Sequence, residues 1–220
     1  MYNNFITNKF KKTMKNYKEL IRSFTEEDYK NNSVNLHIHT VYSDGKGEFS
    51  DLVKQGARYK CIAITDHNTI QGYLENDISE NVIPGVEFDV WCGYVFMHLL
   101  AYGIDVNSDA IKPFLAKSKR ETELDIVRIF AKRDIKKLIN AIHAAGGIAV
   151  IAHPACCWAL SLDRFIKKLK SYGLDGVEVY YPYKRHRGII KFNTAFNVKK
   201  IAEKYNLIMT GGTDLHGTSL

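Results

Sequence analysis

Two histidines, His37 and His39, sit two residues apart in the apolar, β-prone run from Val34 to Thr40. Strand side chains alternate between faces, so both imidazoles point the same way. Two neutral imidazoles converging on one point, with Asp44 just beyond, suit a divalent transition metal. The run would serve equally as an ordinary strand with two satisfied histidines, and the rest of the chain decides between these readings. Acids and imidazoles recur at the ends of other apolar runs: His67, Glu87, His98, His153, Glu178, Asp214 and His216. Six of the eight histidines take such positions, His143 and His186 being the others. That exceeds what a single ion can use, and a multinuclear site is the economical reading.

Groups so far apart in sequence need a fold that gathers strand ends. Seven candidate strands are read at 35–39, 61–65, 82–88, 94–102, 148–153, 176–181 and 207–211. Helical patterns lie between most of them, at 50–59 with Ser50 or Asp51 as N-cap, 131–145, 162–172 and 192–205. Strand and helix in repetition predict an α/β protein, here an irregular seven-stranded (βα)7, TIM-like barrel. One link is too short for a parallel crossover: only five residues separate 82–88 from 94–102, so a hairpin is expected there. Residues of about 107–133 are charged and helical in pattern, and are expected to form a small helical insertion at the barrel mouth. Residues 1–33 form an N-terminal extension, helical in pattern from Lys9 to Phe24, leaving 34–220 as the catalytic-type domain.

Composition narrows the class. A chain of 220 residues supports one substantial core. No apolar run approaches the roughly 18 residues that a membrane span needs, and the N-terminus lacks a secretory pattern. The four cysteines, Cys61, Cys92, Cys156 and Cys157, show no disulfide spacing, which favours a reducing cytoplasm. The net charge of +7 fits an anionic partner such as a phosphate ester or nucleic acid, and a solvated lysine-rich surface fits it as well.

The motifs, taken together and in order, resemble the PHP (polymerase and histidinol phosphatase) family of metal-dependent phosphoesterases. They are Leu36-His-Ile-His-Thr40 with Ser43-Asp44-Gly45, and Ile64-Thr-Asp-His-Asn68. Pro84-Gly-Val-Glu87, Met97-His-Leu-Leu100, Ala152-His-Pro154, Gly176-Val-Glu-Val179 and Gly212-Thr-Asp-Leu-His-Gly217 complete the set. The resemblance implies a distorted seven-stranded barrel holding two or three divalent ions (Mn, Fe or Zn). It implies that His37, His39 and Asp214 hold the first, and that Glu87 bridges it to a second held by His98 and His153. Asp44, His67 and His216 would hold the third. The implied reaction is hydrolysis of a phosphate ester by metal-activated hydroxide, with His37, His39, Glu87 and Asp214 as the catalytic set. A stand-alone member of this kind would act on a nucleotide or similar phosphorylated small molecule. A 5′-3′ exonuclease or oligoribonuclease on the same metals, or a non-catalytic metal-binding module, is the alternative.

Several other residues carry weaker expectations. Asp66 is expected to orient a ligand imidazole or to be a turn aspartate. Glu178 faces inward if Val177 and Val179 face the helices, next to the metals or the substrate. Lys184, Arg185 and Arg187, following three tyrosines, would grip a phosphate or a polynucleotide backbone. Arg120, Arg128 and Arg133 are further candidates for the same task. Cys156, Cys157 and Trp158 would only line the pocket.

Overall fold

The computed structural model describes residues 16–130, 132–183 and 193–220. Its seven strands are β1 (Val34–Asn35), β2 (Cys61–Ile64), β3 (Val82–Cys92), β4 (Val95–Tyr102), β5 (Ile148–Ile151), β6 (Gly176–Tyr180) and β7 (Ile208–Gly211). They lie side by side in sequence order. Neighbours pair parallel except for β4, which runs antiparallel to both β3 and β5. Past the two outer strands the chain closes on itself. Leu36 N donates to Gly211 O (3.1 Å), Leu215 N to His37 O (3.2 Å), and His39 N to Leu215 O (2.8 Å). The result is the irregular α/β barrel that the strand count predicts.

The expected hairpin is present and longer than its sequence suggested. β3 continues to Cys92, which pairs with Val95, so the turn is only Gly93-Tyr94. Gly93 takes φ +66°, a left-handed conformation that costs glycine nothing. Antiparallel β4 therefore enters the barrel from the rim at which the parallel strands end, and His98 lies at its middle rather than at its end.

Crossover helices cover the outside, each burying one apolar stripe. Ile135–Ala144 buries Leu138, Ile139 and Ile142, and Leu162–Ser171 buries Phe165, Ile166 and Leu169. Asp134, Ser161 and Thr194 cap their helices through side-chain oxygens that accept a backbone N–H of the first turn. The helix expected from Ser50 begins earlier, at Phe49, with Glu48 as a cap residue that makes no side-chain cap bond. The segment near 107–133 is less helical than its pattern: it holds only the short turns Lys112–Phe114, Arg120–Glu123 and Asp125–Arg128. It is nailed to the hairpin by Trp91 Nε1 donating to Ile129 O (2.6 Å) and Arg133 Nη1 donating to Asp89 O (3.0 Å).

The barrel interior is filled below the site. Leu36, just past β1, and Ala63, Ile83, Leu100, Tyr102, Val150 and Ile208, from five strands, pack in one cluster with Ile21, Phe24 and Tyr29 of the N-terminal segment. The Tyr102 hydroxyl, fully buried, donates to Leu36 O (2.8 Å). Alternation then fixes the upper layer. On β3, Val86, Phe88 and Val90 join the outer core, so Glu87 and Asp89 face inward. Among the described residues no helix is long and apolar enough to cross a membrane.

Candidate metal centre

Glu87 stands at the middle of the rim with 1 % of its surface exposed. Its Oε2 lies 3.2 Å from His37 Nε2, 3.2 Å from His39 Nε2 and 3.3 Å from His67 Nε2. Its Oε1 lies 3.1 Å from His98 Nδ1 and 3.3 Å from His153 Nε2. Asp214 Oδ1 sits 3.2 Å from His39 Nε2 and 3.4 Å from His37 Nε2. At the outer side His216 Nε2 is 3.2 Å from Asp44 Oδ1, with His67 Nε2 3.7 Å from the other Asp44 oxygen. The nine residues singled out as metal ligands thus meet at one rim.

These side chains form overlapping groups whose donor atoms lie within 4.8 Å of one another. One is His37, His39 and Glu87; a second is Glu87, His98 and His153; a third is His39, Asp44, His67 and His216. Buried His39 Nε2, His98 Nδ1 and Glu87 Oε1 have no hydrogen-bond partner among the described residues. Buried polar atoms left in that state cost roughly 1–3 kcal/mol each, unless something outside the chain satisfies them. A set of imidazoles and carboxylates with open lone pairs fits divalent transition ions. The buried clusters fit a multi-metal site.

Electrostatics agree. Burial alone pushes His39 and His98 toward the neutral form. Contacts with Asp214 and Glu87 outweigh it for His39, which is held at about 9. Glu87 and Asp89 do so for His98, which is held at about 10. Burial pushes the Glu87 carboxyl up, but His37, His98 and His67 bring it well below the usual carboxylate range. The buried carboxylates thus hold protons on the imidazoles, and a bound cation would take over the charge that those protons balance.

The backbone is bent to bring these groups together. His153, Asp214 and Asn68 take positive φ of 28°, 50° and 56°. Non-glycine residues persist there only when their surroundings over-determine them, and such positions gather at functional sites. Gly212 lies against His37 so closely that an added Cβ would overlap the His37 backbone and Cβ. That approach seats the β7 end beside the first histidine.

The surrounding contacts sort the weaker expectations. Glu178 is inward and fully buried, as Val177 and Val179 in the outer core require. Its Oε1 lies 2.9 Å from His37 Nδ1, and its Oε2 accepts the His153 backbone N–H at 2.8 Å. The carboxylate faces His37 Nδ1, while Nε2 faces Glu87. Glu178→Gln is expected to reduce turnover about 10–100-fold while the fold is kept, read from kcat alongside far-UV circular dichroism. Asp66 touches no imidazole: it accepts from Thr40 N (2.7 Å), Thr40 Oγ1 (2.6 Å) and Ser43 Oγ (2.6 Å), clamping the loop after His39. Arg128 is buried and donates to Asp44 Oδ2 (2.8 Å), so it neutralises a site carboxylate instead of reaching outward. Lys184, Arg185 and Arg187 lie outside the described residues. Asp89, which the sequence reading passed over, lies between His67 and His98.

A cavity of about 510 Å³ opens beside His98 and His153, walled by Trp91, Tyr94, Phe96 and Trp158, with Cys156 and Cys157 in its lining as expected. A slightly larger one, about 590 Å³, lies behind Tyr181 and Gly212 and reaches none of the nine ligand candidates. The first has two of the nine, His98 and His153, in its lining.

No family model matches the chain. The chain is 31 % identical over 193 residues to the uncharacterized protein MJ1587 of Methanocaldococcus jannaschii, covering 77 % of this chain and 93 % of that protein. It is 22 % identical to the phosphoribosyl 1,2-cyclic phosphate 1,2-diphosphodiesterase of Eggerthella lenta, over 83 % of this chain and 93 % of that enzyme. Over 130 residues it is 32 % identical to the 5′-3′ exoribonuclease Rnm of Salmonella typhimurium, spanning 52 % of this chain and 44 % of that enzyme. Among solved structures, a protein of Bifidobacterium adolescentis assigned as a metal-dependent phosphoesterase superposes with TM-score 0.66 at 21 % identity, covering 85 % of this chain and 88 % of the other. An amidohydrolase of Chromobacterium violaceum superposes with TM-score 0.68 at 19 % identity, over 84 % and 88 %. The two likenesses agree on the barrel. With the ordered histidine and carboxylate motifs, the sequence relatives make the chain similar to PHP-like metal-dependent phosphoesterases.

Proposed function

We propose that this phosphoesterase hydrolyses the phosphomonoester of a nucleotide or a similar small molecule. The observation that supports this most directly is the aromatic cavity beside His98 and His153, which is of the size and character that would take a flat ring. Its indole and phenol faces would stack a base while the phosphate reaches Glu87 and its neighbours. In this reading His37, His39, Glu87 and Asp214 hold one ion, Glu87, His98 and His153 a second, and Asp44, His67 and His216 a third. Divalent ions held there supply a nucleophile at neutral pH by acidifying water, and neutralise the phosphoryl oxygens.

The chain's own residues then have defined tasks. Glu87 offers one oxygen to each of two groups of imidazoles and so sets their separation. Glu178 keeps the His37 proton off the nitrogen that faces the ions. Tyr181 donates to Asp214 Oδ2 at 2.8 Å, which turns the other Asp214 oxygen toward His37 and His39. Lys184, Arg185 and Arg187 supply positive charge for a phosphate.

A second reading is a 5′-3′ exonuclease or oligoribonuclease. Likeness to the exoribonuclease Rnm over 130 residues favours it, as does a cavity whose walls at Trp158 and Tyr94 are exposed and leave room for a following nucleotide. One panel separates the readings. Manganese-loaded protein is offered mononucleotides, a 3′,5′-bisphosphonucleoside, histidinol phosphate and a short single-stranded oligonucleotide, with His37→Ala as control. Phosphate release from a mononucleotide or the bisphosphate, lost in His37→Ala, is the expected result. Mononucleotides released from the oligomer would move the assignment to a nuclease. Silence throughout, with metal bound, would leave a binding module.

A further inference from the structure

Asp89 is the carboxylate that the metal assignment leaves over. It lies on the inner face of β3, two residues after Glu87, and is fully buried. Four donors surround its two oxygens. Oδ2 accepts from Asn68 Nδ2 and lies 3.4 Å from His67 Nδ1. Oδ1 lies 3.2 Å from His98 Nε2 and 3.5 Å from Arg128 Nε. The Asn68 amide makes a hydrogen bond to the carboxylate, while the two rings and the guanidinium meet it as ion-pair contacts, Asp89 Oδ1, His67 Nδ1 and Arg128 Nε having no hydrogen-bond partner among the described residues. The backbone is fixed as well, with Asp89 N donating to Asn68 Oδ1 (3.0 Å) and Asp89 O accepting from Arg133 Nη1 (3.0 Å). Its donor atom also groups with those of His67 and His98 within 4.8 Å, but the Asn68 amide on one oxygen and the two clamped backbone groups hold it in a place that faces the backs of both rings.

The same two rings face Glu87 with their other nitrogens. His67 Nε2 lies 3.3 Å from Glu87 Oε2, and His98 Nδ1 lies 3.1 Å from Glu87 Oε1. Each imidazole is therefore sandwiched between a carboxylate that shares the ion groups and one that is surrounded by donors. Only one of its nitrogens can carry the proton when the other binds metal.

We propose that Asp89 is a positioning residue that fixes opposite tautomers on two rings: Nδ1–H on His67 and Nε2–H on His98. His67 then ligates through Nε2 and His98 through Nδ1. This inference rests on the metal-centre reading above and deepens it. Under that reading the two histidines serve different ions, so a single carboxylate sets the geometry of two positions at once. Glu178 does the corresponding task for His37.

The test uses the full chain, stripped of metal and reloaded with zinc, whose filled d shell keeps the protein diamagnetic. Long-range proton–nitrogen NMR of the histidine rings reads the tautomers directly, and metal titration reads stoichiometry and affinity. Wild type is expected to show His67 protonated at Nδ1 and His98 at Nε2. In Asp89→Ala both rings lose the oxygen they face, so zinc affinity at two positions falls about 10–100-fold together, while the position at His37, His39 and Asp214 is kept. Asn68→Gly keeps the left-handed backbone beside His67 and removes the amide from Asp89, and decides the matter if Asp89→Ala fails to fold; a smaller loss at the same two positions is expected. Unchanged affinity in both variants, loss at one position only, or the reverse tautomers in wild type would overturn the inference and leave the metal centre standing. A wild-type chain that takes up no zinc would overturn the metal centre as well.

Discussion

Glu87→Gln is expected to lower kcat by about a thousandfold or more and to reduce the number of ions bound. The reason lies in how much converges on this one side chain. Five imidazole nitrogens lie within 3.3 Å of its two oxygens, and it is 1 % exposed. An amide replaces one acceptor oxygen by an NH₂ group, which presses hydrogens against ring nitrogens that must offer lone pairs. It also removes the negative charge that two ion positions share. Metal-borne stabilisation of transition-state charge is worth several kcal/mol, and losing about 4 kcal/mol of it is about a thousandfold in rate. The shape is kept, so the barrel should still form. The measurement is kcat on the substrate found in the panel, with metal content by elemental analysis on the same preparation. Turnover near the wild-type rate from protein that has lost an ion would refute the assignment of Glu87 as the bridging group.

The part of this site legible in the sequence is the part that alternation controls. His37 and His39 two apart, Glu87 among Val86 and Phe88, and Glu178 between Val177 and Val179 all follow from a period of two with one face buried. Asp89 obeys the same period, yet was missed because the strand was ended at Phe88. The five residues after it read as a loop, whereas the chain spends four of them on extended hairpin. Signal was available: Val86, Phe88 and Val90 continue the outward series, and Glu87 and Asp89 the inward one. Other contacts have no local signature. Arg128 reaches Asp44 across 84 residues of sequence, from a segment whose helical pattern breaks into single turns. Asp66 was read toward an imidazole, but the hydroxyls of Thr40 and Ser43 reach it first.

Stripped of metal, the protein is expected to lose thermal stability as pH rises from about 6.5 to 10. In the folded chain His39 is held at about 9 and His98 at about 10, against an ordinary 6.5. His37 is raised as well: burial pushes it down, but Glu87, Glu178 and Asp214 outweigh that. Folding therefore takes up protons, and the stability these three rings contribute is fully present below pH 6.5 and disappears as they deprotonate. Four carboxylates act in the opposite direction. Burial raises Asp44, Glu87, Asp89 and Asp214, and the neighbouring imidazoles overcome it and hold them below their usual range. Their contribution is present above about pH 4 and fades as pH falls below it. His67 is held below its ordinary 6.5 by burial, so its contribution fades as pH falls under that value. Stability of the metal-free chain should thus be greatest at about pH 6 to 6.5, with Tm falling on the order of 5–10 °C by pH 10. Bound ions take over the role of those protons. The loaded protein should hold its Tm to pH 9 or beyond, and zinc added at pH 7.5 to the stripped chain should release protons into unbuffered solution. Melting curves with chelator and with zinc, at half-unit steps of pH, check both statements. A chelated protein whose Tm rises between pH 6.5 and 9 would mean that the histidines are neutral without metal, and that the centre is arranged by packing rather than by charge.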